Sequence, residues 1–95
     1  MNERNYRYHF SQGIPFREVE ESLLLAVLAA ECIHGSAKVR LDGVYSLEKT
    51  SRQALIKGDT EISRQIAELF TGFLEKQFGK LAFSVERVVA TVGKS

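Results

Sequence analysis

Residues 5–35 read NYRYHFSQGIPFREVEESLLLAVLAAECIHG, and the change of rhythm inside this stretch decides the fold. Tyr6, Tyr8 and Phe10 alternate with Arg7 and His9, the period-two pattern of a strand with one buried face. Ser11-Gln12-Gly13 breaks the alternation. Pro15 then suits the first residue of a helix, because its missing N–H would have no partner there. From Pro15 to about Ile33 the apolar residues recur at helical spacing. Glu18, Glu20 and Glu21 complement the positive end of the helix dipole, and Gly35 supplies a left-handed stop.

Downstream of this strand–helix unit, Val39, Leu41, Gly43, Tyr45 and Leu47 fall on one side of an alternating pattern. Lys38, Arg40, Asp42 and Ser46 fall on the other. This predicts a second strand, a turn over Glu48-Lys49-Thr50-Ser51, and a returning strand from Arg52 to Lys57, together a β-hairpin. Asp59 or Thr60 is placed to cap a second helix carrying Ile62, Ile66, Leu69 and Phe73, which stops at Gly79. The β-branched residues between Phe83 and Val92 predict a last strand.

The order β-α-β-β-α-β predicts an α+β, ferredoxin-like two-layer sandwich. Right-handed crossovers put two helices on one face of a four-stranded antiparallel sheet, with strands one and three central. Residues 1–95 read as a single domain. Hydrophobic residues make up 44% and charged residues 26% of the chain, which excludes disordered and collagen-like classes. A net charge of +1 gives no general attraction for phosphate backbones, so nucleic acid is not an expected partner. One cysteine, Cys32, excludes an internal disulfide framework and fits a reducing cytoplasm. The longest apolar run, Leu23 to Ala30, is too short to span a bilayer, and the N-terminal residues do not resemble a signal peptide.

Surplus apolar surface is the chain's least ordinary property. At about 100° per residue, Phe16, Val19, Leu23, Val27 and Ala30 form the stripe expected to face the sheet. Leu24, Leu28 and Cys32 form a second stripe with Leu25 beside it, and the second helix carries its own extra stripe of Phe70, Leu74 and Phe78. These stripes either cover one another within the chain or pack between chains. The last strand is expected to be about twice as long as the first, so that its end, including Val89, overhangs as an unpaired edge. A homodimer made through the helices, the edge strand or both follows from these features.

Soft metal ligands are limited to His9, Cys32 and His34, whose spacing matches no metal site, and no cofactor is expected. Arg7, His9 and Glu86 are expected on an open sheet face without the stacking aromatics of an RNA-binding sheet.

The loop Gln12-Gly13-Ile14-Pro15-Phe16-Arg17 leads into a helix N-terminus, where backbone N–H groups and the dipole can hold an anion. Arg17 in the first turn can add a bidentate clamp. In this loop the sequence resembles acylphosphatases, small βαββαβ enzymes whose phosphate-binding loop reads Val-Gln-Gly-Val-x-Phe-Arg. Gln12, Gly13, Phe16 and Arg17 match, and Ile14 is a conservative change. The resemblance implies that Arg17 holds phosphate together with the amides of Gln12, Gly13 and Ile14. The catalytic asparagine of that family has no counterpart, since no Asn follows Asn5. Ser11 stands for the family's valine and His9 for its usual glycine.

A non-catalytic association domain is therefore the expected function, homodimeric and able to bind a protein partner or a small anionic ligand. The alternative is an acylphosphatase-like hydrolase using the loop 11–17.

Overall fold

The computed structural model describes residues 3–90, with side chains described for residues 5–88. Strand β1 (Glu3–Phe10) leads into helix α1 (Phe16–His34), a short helix α2 (Ser36–Asp42) and strands β2 (Tyr45–Glu48) and β3 (Gln53–Lys57). Helix α3 (Glu61–Phe78) follows, then a 3-10 turn (Lys80–Ala82) and strand β4 (Phe83–Ala90). The sheet is antiparallel with order β2-β3-β1-β4, so β1 and β3 are central and β2 and β4 are the edges.

The alternation in β1 does what its pattern implies. Tyr8 and Phe10 are buried against the helices, whereas Arg7 and His9 share the opposite face with Glu86. The core joins these rings to Ile56 and Ala54 of β3, Phe16, Val19, Leu23, Val27 and Ala30 of α1, Val39 of α2, and Ile66, Phe70 and Leu74 of α3. Tyr8 meets Phe70 edge-on with ring centroids 4.9 Å apart, a geometry that aromatic quadrupoles favour. The stripe expected to bind α1 to the sheet is thus the one that does so.

Gly35 and Gly79 end the two long helices at φ 93° and 89°. Their N–H groups bond to the carbonyls of Glu31 and Glu75 at 2.8 and 3.0 Å, conformations that cost L-residues with a side chain. Thr60 is the N-cap of α3, its Oγ1 accepting from the Ser63 N–H at 3.0 Å.

Two expectations are corrected. Residues 36–42 form α2 rather than the start of the second strand. Only Val39 of this segment is buried, and Leu41 is 81% exposed. Alternation over so few residues does not separate about two turns of helix from a strand, and Ala37, Lys38, Arg40 and Leu41 are good helix formers. The strand is confined to Tyr45–Glu48, where Tyr45 and Leu47 do lie on the helix side, opposite Ile56 and Ala54. Gly43 makes the junction possible, because a Cβ there would sit 2.8 Å from the Val39 carbonyl oxygen and 3.0 Å from Ile66 Cδ1.

The second correction concerns β4. It pairs with β1 residue for residue, from Phe83 opposite Phe10 to Ala90 opposite Glu3. The two strands have equal length over the described residues, so no overhang exists there; residues 91 and 92 lie outside them. Val89 pairs with Arg4, and its side chain lies outside the described ones. No helix among the described residues is long and apolar enough to cross a membrane.

Candidate functional site

The loop between β1 and α1 is closed from within. Ser11 N–H bonds to the Ala82 carbonyl and Ile14 N–H to the Ser11 carbonyl, both at 3.2 Å. Arg52 reaches in from the β2–β3 turn, its Nη2 donating to the Ser11 carbonyl at 2.7 Å and to the Ile14 carbonyl. Its guanidinium carbon lies 5.9 Å from the centre of the Phe16 ring, within cation–π range. Arg52 Nε is buried with no hydrogen-bond partner. The loop therefore turns carbonyls toward a cation that the chain supplies itself.

Arg17 does not close on this loop. It is 86% exposed and pairs with Glu21 one turn along α1, Nε to Oε2 3.7 Å. The Ile14 amide is committed, and its side chain is in the core. Gln12 and Gly13 sit in the exposed turn. Of the residues expected to form an anion clamp, then, Gln12, Gly13 and Ile14 lie together in one loop and Arg17 lies outside it.

The second stripe of α1 is solvent-facing. Leu24, Leu25 and Leu28 are 59%, 55% and 54% exposed, and Cys32 is exposed as well. On the helical wheel they point away from Val19, Leu23 and Ala30. Helix α3 does not cover them, because it lies beside α1 on the sheet rather than over it. The matching expectation for α3 is corrected: Phe70 and Leu74 are fully buried and Phe78 is packed against the core. Phe70 meets Tyr8 and Phe10 of β1, so Phe70 and Leu74 are core residues of α3 rather than an association surface, with Phe78 half-buried beside them.

A groove of about 520 Å³ runs between α3 and the edge strand β4. Its floor is Tyr6 and Tyr8, and Val85 and Arg87 of β4 form one wall. The other wall is the flank of α3 that carries Arg64, Ala67, Glu68, Thr71, Gly72 and Glu75. The helix layer does not reach over β4: Val85 is 40% exposed, whereas Ile56 of β3 is 0%. Tyr8 donates to the Ala67 carbonyl at 3.2 Å and shares a 2.8 Å bond with Thr71 Oγ1. Burial pushes its hydroxyl up to about 12, opposed by the Thr71 hydrogen bond and reinforced by Tyr6. Among the described residues, no ion pair joins Arg64, Glu68, Glu75 or Arg87 to another side chain.

The open face of the sheet carries Arg7 and His9 beside Glu86, at 3.4 and 3.8 Å, and no aromatic residue among the described ones. His34 is hydrogen-bonded to Gln65, which ties the end of α1 to α3. No group of three or more metal-ligating side chains is found among the described residues. No protein-family model, curated protein or solved structure matches the chain.

Neither the groove nor the role of Arg52 was readable from residue spacing. The groove arises from the lateral position of α3 on the sheet. Arg52 is recognised only through backbone carbonyls remote in sequence. Its positive φ of 55°, unusual for a residue with a side chain, marks it in the structure alone.

Proposed function

We propose that this protein is a non-catalytic association domain, built on a ferredoxin-like scaffold with one added helix, that pairs with a second copy through the outer face of α1. The observation that carries the reading is the exposure of Leu24, Leu25 and Leu28 on the side of α1 opposite the core. A helix apolar on both faces is one that is covered on both faces, and burying each leucine is worth about 1.5–3 kcal/mol.

Charge argues for a second copy as the cover. The first turns of α1 hold Glu18, Glu20 and Glu21 against a single Arg17, whereas α2, just beyond its other end, holds Lys38 and Arg40 against Asp42. A twofold axis through the leucine face and perpendicular to α1 sets two α1 helices antiparallel and brings each acidic end beside the partner's more basic one. The strand order β2-β3-β1-β4 supports the ferredoxin-like reading. The exposed, single Cys32 fits the cytoplasm, where a thiol stays reduced.

Sedimentation equilibrium at micromolar concentration tests the proposal. A mass of twice 10.7 kDa is expected, falling to the monomer in Leu24→Glu/Leu28→Glu with the far-ultraviolet circular dichroism unchanged. A monomeric mass for the unaltered protein overturns it.

A further inference from the structure

The groove between α3 and β4 shares no residue with the leucine face of α1. One wall is the outermost strand of the sheet, whose outward N–H and C=O groups have no partner strand among the described residues. Over Phe83–Ala90 the strand has no proline or bulge to keep a second strand from adding to its edge, and its two charges, Glu86 and Arg87, fall one on each face. Beside this edge lies an open trough with an aromatic floor. A main-chain edge and a side-chain trough running along it together describe the recognition of an extended peptide by strand addition.

The direction of the trough follows from the connection between its walls. Only Gly79–Ala82 separates α3 from β4, so the two run antiparallel, and the start of α3 lies beside the end of β4. Arg64 and Arg87, outnumbering Glu68, therefore mark one end of the trough. Tyr6, Tyr8 and Val85 occupy its middle and Glu75 its other end. Gly72 keeps the helix wall low, since a Cβ there would meet nothing within 4 Å.

We propose that this trough binds an extended peptide segment of a partner protein, added antiparallel to β4 as a fifth strand. Alternate side chains of an added strand point to the same face. The segment recognised places an acidic side chain at Arg64 and Arg87, an apolar one over Tyr8 and Val85, and a basic one toward Glu75. Read from its N-terminus, the pattern is acidic-x-apolar-x-basic.

Fluorescence polarisation with the blocked, fluorescein-labelled peptide TDTVTKT tests this on the full chain. Saturable binding is expected, weaker by about ten-fold or more for the charge-swapped TKTVTDT. Arg87→Glu should remove or invert that preference, and the amides of β4 should gain protection from hydrogen exchange when peptide is bound. Gly72→Leu, which fills the trough at an exposed helix position, should abolish binding while leaving the melting temperature unchanged or higher. Leu24→Glu/Leu28→Glu should bind as the unaltered protein does, which separates this site from the α1 face. Equal binding of both peptides, no binding at millimolar concentration, or a fall in mass to the monomer on Gly72→Leu overturns the proposal. The last outcome would make the occupant a second copy of this chain.

Discussion

Tyr8 is the residue on which most of the molecule converges. It meets Phe10, Phe70 and Phe83 in the aromatic cluster, is 1% exposed, and its hydroxyl is bonded to α3 at Ala67 and Thr71. With its pKa pushed up to about 12 by burial, it makes stability depend on pH in a defined window. An unfolded tyrosine loses its proton near pH 10. The folded form keeps it until near 12, so the unfolded state binds fewer protons in between. Stability attributable to this group is complete below pH 10 and declines as pH rises through 12, by about 2–3 kcal/mol. Urea denaturation at about pH 9 and about pH 11.5 should show a smaller decline in Tyr8→Phe than in the unaltered protein. Equal declines would mean that Tyr8 ionises as an exposed phenol does.

At the scale of elements, the turn between β2 and β3 and the loop between β1 and α1 behave as one unit, because Arg52 belongs to both. Its left-handed backbone costs about 1–2 kcal/mol relative to a right-handed one. Its charged hydrogen bonds to the Ser11 and Ile14 carbonyls return about 1.5–3 kcal/mol each at most. Arg52→Ala keeps the strain and loses the bonds, whereas Arg52→Gly loses the bonds and relieves the strain. Denaturation midpoints should therefore rank the unaltered protein first, glycine second and alanine last. An alanine variant as stable as the parent would show that the guanidinium contacts contribute nothing.

Elements also show where sequence reasoning reaches and where it stops. Strand β1, helices α1 and α3, both glycine stops and the hairpin were legible, because each has a long periodic pattern or a residue with one conformational use. Helix α2 was not, since seven residues carry too little periodicity to separate a helix from a strand. A helical wheel ranks the faces of α3 without saying what lies against them, so it leaves open whether Phe70 and Leu74 pack within the chain or between chains. The exposure of Leu24, Leu25 and Leu28 could be posed from the sequence only as one of two alternatives. Arg17 matched a phosphate-binding motif by its neighbours, but its direction depends on where Glu21 and Arg52 stand in space.

For the whole molecule, the decisive fact is that the three α-helices of the described residues share one side of the sheet unevenly. Val39 of α2 and Ile66 of α3 pack around Gly43 ahead of β2, α3 is bonded to β1 through Tyr8, and Val85 of β4 is left 40% exposed. The surfaces offered to partners, the outer face of α1 and the trough beside β4, are what remains once the sheet has buried its aromatic rings.

The main-chain carbonyl of Asp42 accepts from the hydroxyls of both Thr60 and Ser63, at 2.8 and 3.2 Å, while Ser63 Oγ accepts from the Val44 N–H at 2.9 Å. These bonds join the junction of α2 and β2 to the first turn of α3, about twenty residues later in the chain. The α2–β2 junction at Asp42–Val44 therefore depends on the first turn of α3 for these bonds: when the start of α3 frays, the junction loses donors and acceptors together. Native-state hydrogen exchange should find the amides of Val44 and Ser63 released in a single opening event of common free energy. Ser63→Ala should lower that free energy by about 1–3 kcal/mol while leaving the slowest amides of β1 tied to global unfolding. Separate opening energies for the two amides would show that this corner is not one cooperative unit.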